Sequence, residues 1–302
     1  MSRIVLSRVG PMTTIQDTGR PGLFAHGIGG SGPMDRAGYV LAGDVTAQAC
    51  GAAIEIGPLG LDFTYYGAPL LFGAAGGEFS LTVNGSHLPW PTKVVLTDNT
   101  EISIKTGPQG NYAYLRFASQ IGVPLVLGSR STNATVGLGG LDGRTLRAGD
   151  DLELVPLNEL GDEFENSRPQ PVQPGAPIRF IWGIHAELFT AQARAAFISS
   201  EFRVSARMDR MGVKLQDTNS VFADAKLLNL VSDAVVPGDI QILGDGTPIV
   251  LMRDCQPTGG YPRIGTIIDA DLDRFAQIRP GKMVSFSPVT VAHAHRISKW
   301  QP

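Results

Sequence analysis

Three glycine-rich loops carry the side chains best suited to binding a small polar molecule. They span residues 13–22, 128–133 and 254–262. Glycine lets backbone amides approach a ligand closely, and loops on a rigid scaffold commonly carry binding residues. Each loop alone could equally be a structural turn with capping side chains, but three in one chain favour a binding site. Their candidate residues are Asp17, Arg20, Arg130, Ser131, Gln256, Thr258, Gly259, Gly260 and Tyr261.

Motifs for nucleotide, nucleophile and metal chemistry are weak. Residues 27–32 fit G-x-G-x-x-G, but no apolar strand precedes them and no βαβ pattern follows, which favours a plain turn. The sequence has no G-x-x-x-x-G-K-[ST] loop for ATP, and Ser31 lies one residue off the nucleophile-elbow pattern. His293 and His295 would share one face of a strand, yet no third ligand lies nearby. We therefore predict a solvated C-terminal tail and no metal site.

Composition excludes several kinds of partner. The formal net charge of −3 and the pI of about 6.0 favour a small molecule or a protein over nucleic acid or anionic lipid. Only Cys50 and Cys255 are present, outside any Cys-x-x-Cys pair, so a reducing cytoplasm without disulfides is expected. There is no apolar run of about eighteen residues and no apolar leader with a cleavage site, which predicts neither a membrane span nor secretion.

The elements that position the loops are predicted to be mainly β-strands. The 37 Gly and 21 Pro separate short runs of β-branched, aromatic and aliphatic residues, as in barrels or sandwiches. Examples of predicted strands are Ala68–Phe72, Phe79–Val83, Ala113–Ala118, Ile178–Trp182 and Pro248–Met252. Helical spacing of apolar residues predicts helices over Met34–Gln48 and His185–Ser199.

A segment rich in acidic residues and proline, residues 161–177, is unsuited to a strand or a helix. It predicts three regions: an N-terminal barrel with an insertion (residues 1–160), a linker (residues 161–177) and a C-terminal barrel (residues 178–302).

Internal echoes support this division. Residues 31–41 share six of eleven positions with residues 205–215, including Met-Asp-Arg in both copies. Residues 146–150 and 278–282 form a second echo, typical of a tight turn before the closing strand of each half. The echoes predict one barrel topology in both halves.

The polar loops belong to a longer series of motifs. From the N-terminus these are T-T-x-Q-D-x-G-R-x-G, S-G-x-M-D-R, V-P-x-x-L-G-S-R-S-T, G-G-L-x-G-R-x-L-x-x-G-D, P-G-x-I-Q and T-G-G-Y-P, between about Val9 and Phe286. Together they resemble the KipA-like family, whose other names are allophanate hydrolase subunit 2, biotin-dependent carboxyltransferase and the C subunit of 5-oxoprolinase. The chain departs from the family pattern at Ser119-Gln120, where Gly-Gly is usual, and after Asp254, so its substrate could differ.

The resemblance implies tandem cyclophilin-like β-barrels and two partner proteins, a KipI-like B subunit and an A-subunit-like protein. It implies ATP-dependent hydrolysis of an amide, 5-oxo-L-proline to L-glutamate, by a complex to which ATP and magnesium bind. Arginine matches a carboxylate through paired hydrogen bonds, which makes Arg20, Arg36 and Arg130 candidates for the carboxylate of 5-oxoproline. The lactam N–H and carbonyl would be held by Asp17, Asp35, Gln241 and Gln256.

Other interpretations remain open. Arg36 and Arg210 recur in both halves with their neighbouring aspartates and could simply stabilise each barrel. The chain could take part in carboxyl transfer from carboxybiotin to a urea-like acceptor, with biotin carried by another chain because no Ala-Met-Lys-Met acceptor is present. It could also be a non-catalytic regulator that binds a KipI-like protein, although its polar loops argue against a purely interacting surface.

Overall fold

The structure, a computed structural model, describes residues 1–44, 46, 51–156, 175–223 and 230–297. These residues form two compact units: residues 1–22 and 30–156, and residues 23–29 with 175–297. The predicted linker lies almost wholly outside the described residues, as do the end of the first predicted helix and Cys50. The predicted domain boundaries therefore stay a prediction.

The first unit contains twelve strands and one helix among its described residues. Its elements are β1 (Ser2–Val9), β2 (Thr14–Gln16), α1 (Arg36–Asp44), β3 (Ala53–Ile56), β4 (Leu61–Tyr66), β5 (Leu70–Gly76), β6 (Phe79–Val83), β7 (Ser86–Leu88), β8 (Thr92–Leu96), β9 (Thr100–Thr106), β10 (Ala113–Phe117), β11 (Gln120–Ile121) and β12 (Asp151–Val155). A seven-stranded sheet has the order β11-β12-β1-β4-β9-β6-β7, and a five-stranded sheet the order β2-β3-β10-β5-β8.

The two sheets of the first unit share one apolar core. Phe63 from the larger sheet contacts Phe72 and Phe117 from the smaller one, with ring centroids 6.1 and 6.2 Å apart. Side chains alternate along each strand, so every second residue of the five-stranded sheet faces this core. Ile54 and Leu115 do so, while the opposite face, which we call the outer face, packs against α1.

The second unit is built on a closed barrel with the strand order β13-β20-β17-β18-β15-β14-β21. Its strands are β13 (Ile178–Trp182), β14 (Glu201–Met208), β15 (Gly212–Gln216), β16 (Asp233–Ala234), β17 (Asp239–Ile242), β18 (Pro248–Leu251), β19 (Thr258–Gly259), β20 (Arg263–Ile267) and β21 (Met283–Pro288). Its helices are α2 (Ala191–Ser199), α3 (Asp269–Ala276) and α4 (Val291–Ile297). The pair β16-β19 forms a separate small sheet.

These elements confirm the predicted mainly β fold with a few short helices. The predicted strands at Phe79–Val83 and Ile178–Trp182 match β6 and β13 residue for residue. The first predicted helix begins at Arg36, two residues later than expected, and the second is divided into a 3₁₀ turn at Ala186–Leu188 and α2. No described helix is long and apolar enough to cross a membrane.

Two sequence-based expectations need correction. His293 and His295 lie on α4 and not on a strand, so residues two apart point in different directions around a helix. The first echo also diverges: residues 36–41 are helical, whereas residues 212–215 belong to β15.

The second echo is a shared turn, as the sequence predicts. Gly149 and Gly281 both have a positive φ, +90° and +85°, and each precedes the last strand of its unit. The Gly149 amide donates to the carbonyl of Leu6 at 2.7 Å, and the Gly281 amide donates to that of Val204 at 2.8 Å. In each unit the acceptor lies on the strand that pairs with the closing strand.

Candidate functional site

Asp17 joins the first two glycine-rich loops. One carboxylate oxygen accepts hydrogen bonds from the hydroxyls of Ser129 and Ser131 and from the amide of Gly19. The other accepts from the backbone amide of Arg130 at 2.5 Å. A carboxylate with four donors of this kind holds the loop backbone in place. Asp17 and Ser131 therefore lie inside the framework of the site.

Arg20 reinforces the same loop from within. It is 2% exposed, and its guanidinium donates to the carbonyls of Ser131 at 2.6 Å, Val126 at 3.3 Å and Ser129 at 3.4 Å. A Cβ placed on Gly139 would lie 2.5 Å from Nη2 of Arg20 and 2.1 Å from the Ser131 carbonyl. Glycine is thus needed at 139 for the chain to pass this close.

Arg130 differs from Arg20 in where its side chain points and in what holds it. Its Nε donates to the carbonyl of Val123 at 3.1 Å, and its side chain is half-buried. Among the residues that the structure describes, none forms an ion pair with Arg130. Its backbone is fixed by Asp17 while the terminal nitrogens of the guanidinium remain available to a ligand.

A second polar network lies on the outer face of the five-stranded sheet. The hydroxyl of Tyr114 donates to Glu55 Oε2 at 2.8 Å and accepts from the amide of Asp35 at 2.7 Å. Glu55 Oε2 also accepts from the amide of Met34 at 2.8 Å. Burial, followed by the negative charges of Glu55 and Asp35, raises the pKa of Tyr114 well above its usual value. The phenol is therefore a fixed, neutral donor.

The two networks are linked through the chain that precedes α1. The amide of Gly32 donates to the side-chain oxygen of Gln16 at 3.1 Å, and the amide of Arg20 donates to the carbonyl of Gly30 at 2.7 Å. Asp35, at the end of this segment, accepts from the amide of Gly38 at 2.9 Å. Asp35 and Arg36 thus lie at the start of α1, beside the network that contains Asp17 and Arg20.

Three residues of the outer face were not predicted from the sequence: Glu55, Tyr114 and Arg116. All three are at most 2% exposed, and Arg116 stacks on the ring of Tyr39, with Cζ 4.6 Å from the centroid. The alternation in Ala113–Phe117, A-Y-L-R-F, was the available signal, because it places a tyrosine and an arginine on one face of a strand.

In the second unit, the third loop is anchored by an ion pair from the echoed motif. Arg210 donates to both carboxylate oxygens of Asp254, at 2.8 and 3.1 Å, and both side chains are buried. The expected structural role of the echoed arginine is thus observed for Arg210.

Some of the residues predicted for a site in this unit lie close together. Gln241 is buried, and a Cβ on Gly259 would lie 2.6 Å from its Nε2. That nitrogen has no hydrogen-bond partner among the described residues. Gly260 accepts a hydrogen bond from the amide of Leu230 at 3.0 Å. The exposed candidates of the loop are Gln256, Thr258 and Tyr261.

Two features limit the chemistry of this unit. Burial raises the pKa of the Cys255 thiol to about 12, with further contributions from Asp239 and Asp254, so the thiolate needed for a nucleophile is disfavoured. Within the described ranges, no group of three His, Cys, Asp or Glu residues could hold a metal ion.

The chain is similar to known proteins over nearly its whole length. Residues 26–288 match the family model for the carboxyltransferase domain, subdomain A and B. The chain is 35% identical to the 5-oxoprolinase C subunit of Escherichia coli over 291 residues, covering 95% of this chain and 91% of that protein. It is 30% identical to the 5-oxoprolinase C subunit of Haemophilus influenzae, covering 95% and 91%. The crystal structure of the K. lactis urea amidolyase superposes with a TM-score of 0.85 and 25% identity, covering 99% of this chain but only 20% of that larger chain.

Proposed function

We propose that this chain, which belongs to the family of the carboxyltransferase domain, subdomain A and B, is the substrate-positioning subunit of a complex that opens a cyclic amide. Its motifs resemble the same family. The substrate proposed is 5-oxo-L-proline and the product is L-glutamate. The similarity to the C subunit of 5-oxoprolinase over nearly the whole length of both chains supports this proposal.

Division of labour within the complex follows from chemistry. An unstrained lactam is stabilised by amide resonance, so its hydrolysis benefits from coupling to ATP. This chain has no recognised nucleotide loop, and we assign ATP and magnesium to its partners, an A-subunit-like protein and a KipI-like B subunit. The chain itself would orient the substrate and stabilise developing charge. Its location in the cytoplasm remains a prediction.

The state of the Arg130 side chain is the observation that most supports the proposal. An arginine whose guanidinium is paired within the protein would be structural, but Arg130 has a fixed backbone and no ion pair among the described residues. A guanidinium in this state can bind the carboxylate of 5-oxoproline through two parallel hydrogen bonds. Asp17, Arg20 and Ser131 would then act by positioning Arg130. Asp35 and Arg36 remain candidates for further substrate contacts in the first unit. Gln241, Gln256 and residues 258–261 remain predicted binding residues of the second unit, considered by itself.

Reconstitution tests the proposed complex. The purified chain alone should neither hydrolyse ATP nor open 5-oxoproline, and addition of the KipI-like and A-subunit-like proteins should give ATP-dependent release of glutamate. Turnover of ATP by the chain alone would contradict the proposal. So would a complete complex that forms but leaves 5-oxoproline intact.

Arg130→Lys tests the assigned role of this arginine. Lysine keeps the charge but loses the paired donors, so kcat/KM of the reconstituted complex should fall tenfold or more, about 1.4 kcal/mol of transition-state stabilisation. The Tm of the isolated chain should stay nearly unchanged. Arg147→Lys, at an exposed arginine of the same unit, is the matched control and should keep full activity. Unchanged kinetics in Arg130→Lys, or a loss of folding, would give Arg130 a structural role.

Carboxyl transfer is the second candidate function. The K. lactis urea amidolyase has a closely similar fold over this region, which supports it. In that case another chain would carry the biotin and this chain would bind a urea-like acceptor. Urea-dependent turnover by the reconstituted complex, abolished by avidin, together with no release of glutamate from 5-oxoproline, would favour this function over the first.

A further inference from the structure

We propose that the outer face of the five-stranded sheet in the first unit contains a second anion site, centred on Arg116. Its ligand is a small, planar, singly charged O–C–O group, either a carboxylate or hydrogencarbonate. The site is separate from Arg130, and it does not depend on the proposed amide hydrolysis.

The state of the Arg116 side chain is the first argument. Arg116 is 2% exposed, and its Nη2 has no hydrogen-bond partner among the described residues. No described carboxylate lies within ion-pairing distance of it. A buried charge without a partner is strongly unfavourable, so proteins pair buried charges or give them a ligand. The contact with Tyr39 satisfies only the flat face of the guanidinium, and the N–H groups of Nη2 are still without acceptors in the described part of the chain.

The nearest acidic network is already committed. Glu55 Oε2 accepts from Tyr114 and Met34, and the Asp35 carboxylate accepts from the amide of Gly38. These carboxylates lie one row along the sheet from Arg116, because Tyr114 and Arg116 are two residues apart on β10. They therefore do not replace a ligand, but their charge affects which ligand can bind.

Strand pairing shows which residues lie beside Arg116 on the outer face. Arg116 lies directly opposite Gly73 on β5, and Gly73 lies opposite Lys93 on β8. Residues directly opposite one another point to the same face of a sheet, so Arg116 and Lys93 flank a glycine that has no side chain. Lys93 is exposed on the edge strand, and no described residue forms an ion pair with it. Gly73 is buried and has no side chain, so β5 contributes none between the positive charges of Lys93 and Arg116 in this row.

Charge and shape select the class of ligand. The edge of a guanidinium has two parallel N–H donors that match the two oxygens of an O–C–O group. The negative charges of Glu55 and Asp35 in the neighbouring row disfavour an ion of charge −2, such as hydrogenphosphate. A planar monoanion is therefore the favoured occupant.

Thermal unfolding of the full chain in different sodium salts tests the proposal. At equal ionic strength, acetate or hydrogencarbonate should raise the Tm of the wild type above its value in chloride, in a saturable manner. Arg116→Met should remove this specific rise. Arg147→Met, at an exposed arginine of the same unit, should retain it. The salt that acts at lower concentration identifies which of the two ions the site prefers.

A measurement on the wild type keeps the test decisive if Arg116→Met does not fold. In ¹⁵N-edited spectra, the Nε–H signal of Arg116, assigned through Arg116→Lys, should shift on titration with acetate or hydrogencarbonate while that of Arg147 does not. Arg116→Lys should also bind the anion at least tenfold more weakly. Absence of any shift at Arg116, a specific Tm rise that survives Arg116→Met, or a response to phosphate alone would overturn the proposal.

Discussion

The two units contain the same five-residue pattern, Met-Asp-Arg-x-Gly, and continue from it into different structures. In the first unit Asp35 accepts from the amide of Gly38 at 2.9 Å, and in the second Asp209 accepts from that of Gly212 at 3.0 Å. The pattern therefore specifies an aspartate-capped turn in both places. The chain then continues as α1 in one unit and as β15 in the other.

The residues that follow the turn explain the divergence. In the first unit the buried positions after the turn include Tyr39 and Ala42, three apart, which is helical spacing. In the second unit Val213 and Leu215 are buried on either side of Lys214, which is strand spacing. A short echo in sequence thus fixes a local turn, while the hydrophobic period that follows selects the element.

The largest expected effect lies at Arg210, the arginine of the pattern in the second unit. Arg210→Ala would leave the buried carboxylate of Asp254 without its bidentate partner, so the free energy of unfolding should fall by about 3–5 kcal/mol. Arg3→Ala is the control, because Arg3 pairs with Asp151 in an exposed position, and should cost at most about 1 kcal/mol. Urea unfolding of both variants measures this. Equal losses of unfolding free energy would show that burial does not increase the contribution of the Arg210–Asp254 pair to stability.

A smaller effect is expected at the glycine of the pattern. A Cβ on Gly38 would lie 2.8 Å from the Cα of Gly76, which is backbone and cannot move aside, so Gly38→Ala should cost about 1–3 kcal/mol. A Cβ on Gly212 would first meet the flexible end of Ile249 at 2.9 Å, so Gly212→Ala should cost less than about 1 kcal/mol. Thermal melts of the two variants compare them. A greater loss in Gly212→Ala would reverse the proposed difference in packing.

Local signals in the sequence were sufficient for several elements. The strand Phe79–Val83 was predicted at its observed bounds because Asn84-Gly85 marks a hairpin turn immediately after it. The strand considered for the two histidines of α4 was wrong, because a spacing of two places side chains on one face only if the chain is extended there. Short helices at the end of a chain give too few periods for the pattern to decide.

The candidate site shows the same limit at longer range. Asp17 and Ser131 were identified from their loops, but their direct contact joins positions that are far apart in sequence. Glu55 was missed because it is the only polar residue of its apolar strand, and only the pairing of β3 with β10 brings it to Tyr114. Sequence therefore indicated the loops, and strand register determined the networks beneath them.

The smallest effect concerns the shared closing turn, where Asp150 in the first unit corresponds to Lys282 in the second. Burial alone would raise the pKa of Asp150, but hydrogen bonds from Arg144, two at 2.8 Å, and the amide of Arg147 hold it below its usual value. A lowered pKa in the folded state stabilises the protein above the ordinary pKa, near pH 4, and this stabilisation is lost as pH falls through the lowered value.

Asp150→Asn should therefore cost about 1 kcal/mol near pH 7 and progressively less at pH values below about 4. Lys282→Met, the control at the corresponding position, should show a constant difference from the wild type across this range. Urea unfolding at a series of pH values measures both, and a gap for Asp150→Asn that stays constant with pH would mean that the carboxylate charge does not stabilise this turn.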